Sequence, residues 1–126
     1  NGMQPRIEEI LGHRLAALRV RYWARGERSA WILEEVGKEE PITVGVVVEN
    51  QRLRNLEVLV YRESRGAEVR FPFFTEQFSR ARLTETGKLD RTIHSISGAT
   101  LSSRALKRLA GLALYLDQVR SREKNP

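Results

Sequence analysis

The chain has 126 residues, a length that predicts a single domain able to bury its own hydrophobic core. With 40% apolar and 30% charged residues and no apolar run near the ~20 residues of a membrane-spanning helix, the composition is typical of a soluble globular domain. Cysteine is absent and histidine occurs twice, which excludes disulfides, thiolate metal sites and cysteine nucleophiles and argues against structural zinc. The net charge of +6 suggests an anionic partner, although charged runs are more often solvated surface.

The first predicted element is a helix from Pro5 to Trp23. Apolar residues recur there at helical spacing, proline is tolerated in a first helical turn, and a glycine forms a break after it. We therefore divide the chain into an N-terminal helical extension over residues 1–28, a main domain over residues 29–120 and a basic tail over residues 121–126.

The pattern then changes to β-branched and alternating residues, which indicates strands. The predicted strands are Ser29–Val36, Pro41–Glu49 and Leu53–Tyr61, with a further short strand at Thr92–Ile96. A hairpin turn is predicted at Asn50-Gln51-Arg52, between the second and the third strand. Strands this closely spaced are most simply joined as an antiparallel meander.

Two helical segments follow the strands. A short helix after Pro72 is predicted to turn its aromatic residues inward, and these are Phe71, Phe73, Phe74 and Phe78. The last helix begins at Gly98-Ala99-Thr100 and carries an apolar stripe. Its predicted water-facing residues are Ser102, Arg104, Lys107, Arg108, Asp117 and Gln118. The predicted fold class is α+β: a mainly antiparallel sheet packed against a C-terminal amphipathic helix, plus an N-terminal helix.

A run of small and hydroxyl-bearing residues leads straight into the last helix. The run reads Ser97-Gly98-Ala99-Thr100-Leu101-Ser102-Ser103. Gly98 lets the backbone turn tightly and approach a ligand, and a helix start offers unpaired amides and the positive end of the macrodipole. The four hydroxyl residues add donors, so the run predicts an anion site. From composition alone an ordinary capped helix is the commoner explanation.

This run resembles the flavinylation motif of the FMN-binding domain family. That family includes one component each of the sodium-translocating NADH:quinone oxidoreductase and of the Rnf complex. Its pattern is an acidic residue, two variable residues and Ser/Thr-Gly-Ala-Thr/Ser, and a flavin transferase attaches the FMN phosphate to the last hydroxyl. The resemblance therefore implies covalent FMN on Thr100. The neighbouring residues implied to contact the cofactor are Ser97, Gly98, Ala99, Leu101 and Ser102.

A second block extends the resemblance to the span from Trp31 to Leu116. After the strand that ends at Tyr61, the family has a loop of the Glu-Thr-Pro-Gly type beside the isoalloxazine ring. The corresponding residues here are Glu63, Ser64, Arg65 and Gly66, all implied to contact the ring. Arg65 is a candidate for a charge-assisted hydrogen bond to the N1–C2=O edge of the reduced ring, and a solvent-facing arginine is the commoner alternative.

The sequence departs from the family pattern at two positions. His94 stands where the family has its acidic residue, six positions before Thr100. It is a possible cofactor contact or an ordinary surface histidine. Arg65 replaces the proline of the loop beside the ring, which would make that contact more polar.

The resemblance implies an electron-transfer domain rather than a stand-alone enzyme. It also implies an extracytoplasmic location, a flavin transferase for maturation, and membrane or haem redox partners. Any signal or anchor that export requires would then lie outside this sequence.

Three alternatives differ in class. A binding or sensory module that keeps the fold without flavin is suggested by His94. A nucleic-acid-binding domain is suggested by charge alone, without a motif, so no nucleic-acid partner is expected. A serine hydrolase is disfavoured, because Ser97 lacks a Gly-x-Ser-x-Gly context.

Overall fold

The computed structural model describes residues 4–11 and 20–124. Its main elements are α1 (Gln4–Leu11), β1 (Arg21–Arg25), β2 (Arg28–Val36), β3 (Pro41–Glu49), β4 (Arg52–Val60), α2 (Pro72–Thr75) and α3 (Thr100–Lys124), with 3-10 turns at Ala67–Arg70 and Glu76–Phe78. The four strands form one antiparallel sheet in the order β1-β2-β3-β4. The predicted α+β class is confirmed. Within the described ranges, no helix combines the length and hydropathy needed to cross a bilayer.

In the hairpin formed by β2 and β3, burial follows the alternation of apolar and polar residues in the sequence. In β2 and β3 the apolar residues that share one face are buried, and their neighbours on the other face are less so. Asn50 and Gln51 both have positive φ, at 54° and 65°, as a two-residue hairpin turn of the favoured hand requires. The predicted turn is therefore confirmed at Asn50 and Gln51, although neither is glycine, whereas Arg52 already belongs to β4.

The core lies between the inner face of the sheet and α3. Because apolar residues of α3 recur at helical spacing, they form one continuous face against the strands. Its fully buried members include Ala105, Leu106, Leu109, Leu112 and Ala113. α1 crosses α3 at Gly111, where Ile10 lies 3.3 Å from the position that a Cβ would take. α1 therefore packs against the middle of α3.

The predicted N-terminal helix is wrong at its C-terminal end. The described helix ends at Leu11, and Tyr22 and Trp23 lie in β1, which pairs with β2. Residues 12–19 of the predicted helix lie outside the described residues. The Tyr22 ring stacks on that of Trp31 with centroids 4.6 Å apart, so strand pairing and ring packing override the helical spacing.

Three further predictions need correction. Residues 92–96 form no strand, because the backbone of His94 bonds to the side chain of Gln77 rather than to a neighbouring strand.

Phe74 and Phe78 are buried as predicted, but Phe71 and Phe73 are exposed. On α3, Ser102 and Asp117 are buried rather than facing water, since each has a hydrogen-bond partner on another element.

Candidate functional site

The start of α3 leaves several backbone donors available. The carbonyl of Ala99 accepts the first helical hydrogen bond from Ser103 N–H at 2.9 Å, and Ala99 N–H donates to Ile96 at 2.9 Å. By helix geometry, the next three amides, from Thr100 to Ser102, have no acceptor within the helix. Thr100 itself is exposed. The sequence thus places an accessible hydroxyl among free amides at the positive end of a 25-residue helix.

The hydroxyls predicted to surround an anion have different roles. Ser103 is fully buried, and its Oγ donates to the Ala99 carbonyl at 2.8 Å while accepting from Ile96 N–H at 3.2 Å. The Ser103 hydroxyl therefore stabilises the turn between Ile96 and Ala99 and is not available to a ligand. Ser97 and Thr100 are exposed, so their hydroxyls can reach an incoming group.

The loop after β4 packs closely against this helix start. Tyr61 Oη donates to the carbonyl of Arg65, and Ser102 Oγ lies 3.1 Å from the same Tyr61 oxygen. Gly66 has a φ of +83°, and a Cβ there would lie 2.6 Å from Tyr61 Oη and 3.1 Å from the Ala99 Cβ. Only glycine allows this approach, so the predicted ring-side loop and the predicted flavinylation motif are brought together.

Glu63 has a structural role that sequence reasoning missed. Its Oε1 accepts the backbone N–H groups of Glu39, at 3.2 Å, and Glu40, at 2.6 Å. These bonds hold the turn between β2 and β3, which brings Lys38 and Glu39 to the start of α3. Gly37 tightens the same turn, since a Cβ there would lie 3.2 Å from Ser102 Oγ.

These three segments enclose a cleft of about 580 Å³, within the range of roughly 300 to 1,000 Å³ typical of ligand sites. Its lining residues are Lys38, Glu39, Glu63, Ser64, Arg65, Gly98, Ala99, Thr100, Leu101 and Ser102. Of the predicted contacts, Gly66 and Ser97 are not lining residues, although their neighbours Arg65 and Gly98 are. His94 is exposed and is not a lining residue, and Gln77 fixes its backbone with bonds of 2.8 and 3.1 Å.

The cleft is polar at one side and open above the helix start. Nothing lies within 4 Å of the position that a Cβ of Gly98 would take. Lys38 and Arg65 provide exposed positive charge, and Leu101, 46% exposed, provides an apolar surface. This donor set suits a ligand with an anionic end and a flat apolar body.

The family model of the FMN-binding domain matches residues 37–115. The chain belongs to the FMN-binding domain family. The match begins at Gly37 in the β2–β3 turn and ends in α3, so it includes all three segments that line the cleft. A search of curated proteins finds no match. A search of solved structures also finds none.

The cleft of this FMN-binding domain fits the parts of FMN. The free amides and hydroxyls at the start of α3 suit the phosphate, because a helix N-terminus favours negative charge. The loop residues Glu63, Ser64 and Arg65, together with Leu101, line the remaining volume, where the ring can lie. The family match gives FMN as the cofactor, and the donors and the apolar surface of the cleft are compatible with its phosphate and its ring.

Proposed function

We propose that this FMN-binding domain is an electron carrier, with FMN joined by a phosphoester to Thr100, that works outside the cytoplasm. The observation that carries the proposal is the position of the Thr100 hydroxyl. It is exposed, belongs to the first turn of α3 and lines the cleft. A threonine buried in the core would have been incompatible with modification.

The attachment requires a single substitution at phosphorus. Thr100 Oγ1 forms the new O–P bond, the phosphorus loses the leaving group of an activated flavin nucleotide, and the hydroxyl proton passes to a base. A flavin transferase supplies that nucleotide and the base. The amides from Thr100 to Ser102 stabilise the phosphodiester charge once it is formed.

Residues around the isoalloxazine ring would adjust the reduction potential of the flavin. FMN supplies the reversible uptake of two electrons, and the protein supplies orientation and charge. Arg65 is exposed at the cleft, where a guanidinium can donate a charge-assisted hydrogen bond to the N1–C2=O edge of the reduced ring. Tyr61 and Gly66 hold the backbone of this loop, so the position of Arg65 depends on them.

The proposed location and partners rest on the resemblance of the same motif. Attachment by a flavin transferase suits a compartment in which free flavin is scarce, because a tethered cofactor is not lost by dissociation. Membrane or haem proteins are the proposed redox partners. The domain is proposed to carry electrons between them and not to turn over a substrate of its own.

Intact-mass measurement tests the attachment site. Co-expression with a flavin transferase should give a yellow protein that is heavier by one FMN less one water. Thr100→Ala should remove the added mass completely, Thr100→Ser should keep it, and Ser97→Ala is the matched control that should also keep it. Full modification of Thr100→Ala would refute the proposed site.

The competing function is a module that keeps the fold without covalent flavin. It is favoured by His94, an exposed imidazole at the position where the motif has an acidic residue. His94→Asp should then restore modification to a parent protein that stays colourless with the transferase. If the parent is already fully modified, this alternative is refuted.

A further inference from the structure

A second concave surface lies beside α3 and shares no lining residue with the FMN cleft. It is a groove of about 420 Å³ between α3 and the loop that carries Lys88 and Arg91. Its apolar floor comes from Ile10, Leu89 and Gly111. Its charged lining residues are all basic, namely Lys88, Arg91, Lys107 and Arg108.

Part of this positive charge is neutralised, and part is not. Arg91 Nε lies 3.5 Å from Asp90, and Arg108 Nε lies 3.3 Å from Glu35. In the described part of the chain, no carboxylate lies within ion-pair distance of Lys88 or Lys107. The same holds for Arg104, which lies one turn before Lys107 on α3. Within the described residues, Lys88, Arg104 and Lys107 are therefore cations without an ion-pair partner.

The basic surface is continuous with the FMN attachment site. Thr100, Arg104 and Lys107 are spaced by four and three residues, so they lie on one stripe of α3. All three are exposed. Lys107 is only about 10 Å from Thr100 along the helix axis, at roughly 1.5 Å per residue. Any molecule seated on this surface would thus border the FMN cleft.

We propose that the basic surface formed by Lys88, Arg91, Arg104, Lys107 and Arg108 docks an acidic face of the protein that exchanges electrons with the domain. The proposal rests on the proposed electron-carrier function. Transient redox complexes have small interfaces, and charge complementarity steers their encounter. A concave groove with an apolar floor, next to the cofactor, fits such a protein better than it fits a nucleic acid. Only association is involved, and no bond is made or broken.

An acidic peptide tests the surface without a known partner. Poly-L-glutamate is titrated into the 15N-labelled protein at low salt, where surface charges act over their longest range. Amide shifts should concentrate at residues 87–92 and 103–111, and they should vanish at 1 M salt. Arg104→Glu/Lys107→Glu should weaken binding by about tenfold or more, corresponding to about 1.4 kcal/mol.

The matched control is Arg21→Glu/Arg25→Glu on β1, where both arginines are exposed. It makes the same change in net charge and should weaken binding less than about twofold if binding is local. Equal losses in the two double variants would show that net charge alone is responsible and would overturn the proposal. Shifts centred on β1, or tighter binding of a DNA duplex at the same salt, would also overturn it.

Two further variants keep the test decisive. Arg104→Gln/Lys107→Gln removes the same positive charges without adding negative ones and should weaken peptide binding by about threefold. It replaces Arg104→Glu/Lys107→Glu in the test if that charge-reversed variant does not fold. Thr100→Ala should bind poly-L-glutamate like the parent, because the groove does not need the cofactor. A parent protein that carries no flavin after co-expression with the transferase but still binds the peptide would refute the proposed function. Charge variants that bind the peptide as tightly as the flavin-carrying parent would refute the docking surface.

Discussion

The two ends of α3 both carry polar side chains, but they use them in opposite ways. At the start, Thr100 is exposed beside amides that have no helical acceptor. Near the end, Asp117 is 2% exposed, and its Oδ1 accepts from Ser29 Oγ at 2.6 Å and from Arg120 Nη2 at 2.9 Å. One end keeps its hydrogen-bonding capacity for a ligand, and the other uses it within the protein.

The buried end connects three elements. Trp31 Nε1 donates to Ser29 Oγ at 2.7 Å, and Arg120 also donates to the Gly26 carbonyl at 3.1 Å. Asp117 thus joins α3 to β2 and, through Arg120, to the β1–β2 turn. In a low-dielectric interior a satisfied network of this kind adds rigidity, whereas an accessible cluster adds little stability and is free for binding.

Replacement of Asp117 should have the largest effect on stability. Asp117→Ala leaves the Arg120 guanidinium without its buried carboxylate and Ser29 without its acceptor, so we expect a loss of about 3 kcal/mol in the free energy of unfolding. Urea denaturation measures it. The control is Thr100→Ala, which should change stability by less than about 0.5 kcal/mol while it removes the flavin. Comparable destabilisation by both variants would contradict the contrast between the two ends.

Two glycines with the same φ of +83° sharpen the comparison within the site. Gly66→Ala meets both backbone strain and the close contact with Tyr61 Oη and Ala99, so a loss of about 2 kcal/mol or more is expected. Gly98→Ala has open space and should cost about 1 kcal/mol from backbone conformation alone.

The same pair distinguishes stability from cofactor binding. Gly66→Ala should also weaken FMN binding, measured by quenching of flavin fluorescence, because it pushes the loop of Arg65 away from α3. Equal unfolding midpoints for the two glycine variants would show that the contact with Ala99 does not constrain the loop.

Two serines of the motif provide a third, smaller contrast. Ser103→Ala removes the acceptor of Ile96 N–H, and an unsatisfied amide there should cost about 1.5 kcal/mol. Ser97→Ala alters an exposed side chain and should stay within about 0.5 kcal/mol. Hydrogen exchange at Ile96, faster in Ser103→Ala than in Ser97→Ala, would identify the cause. Unchanged exchange would show that Ser103 does not hold this turn.

Local patterns predicted those parts of the fold that depend on local rules. The bounds of β3 and the start of α3 at Thr100 agree with the sequence, because alternation and helix-start chemistry extend over a few residues. The burial of Asp117 could not be predicted, since Ser29 is 88 positions away. The role of Glu63 as acceptor for the β2–β3 turn was missed for the same reason. Long-range polar pairing has no periodicity from which it can be read.

Asp90 completes the comparison with Asp117, because it is also paired but lies at the surface. The backbone N–H of Arg82 at 3.0 Å and the nearby Arg91 guanidinium lower the pKa of the Asp90 carboxyl. A carboxyl whose pKa is lower in the folded state contributes stability above its unfolded pKa, and this contribution is lost as the pH falls below about 4. Asp90→Asn should therefore flatten the acid side of the stability profile between about pH 6 and about pH 3, measured by urea midpoints. The effect at neutral pH should be the smallest of those described, since solvent screens this pair. A profile as steep as that of the parent would assign the acid sensitivity to other carboxylates.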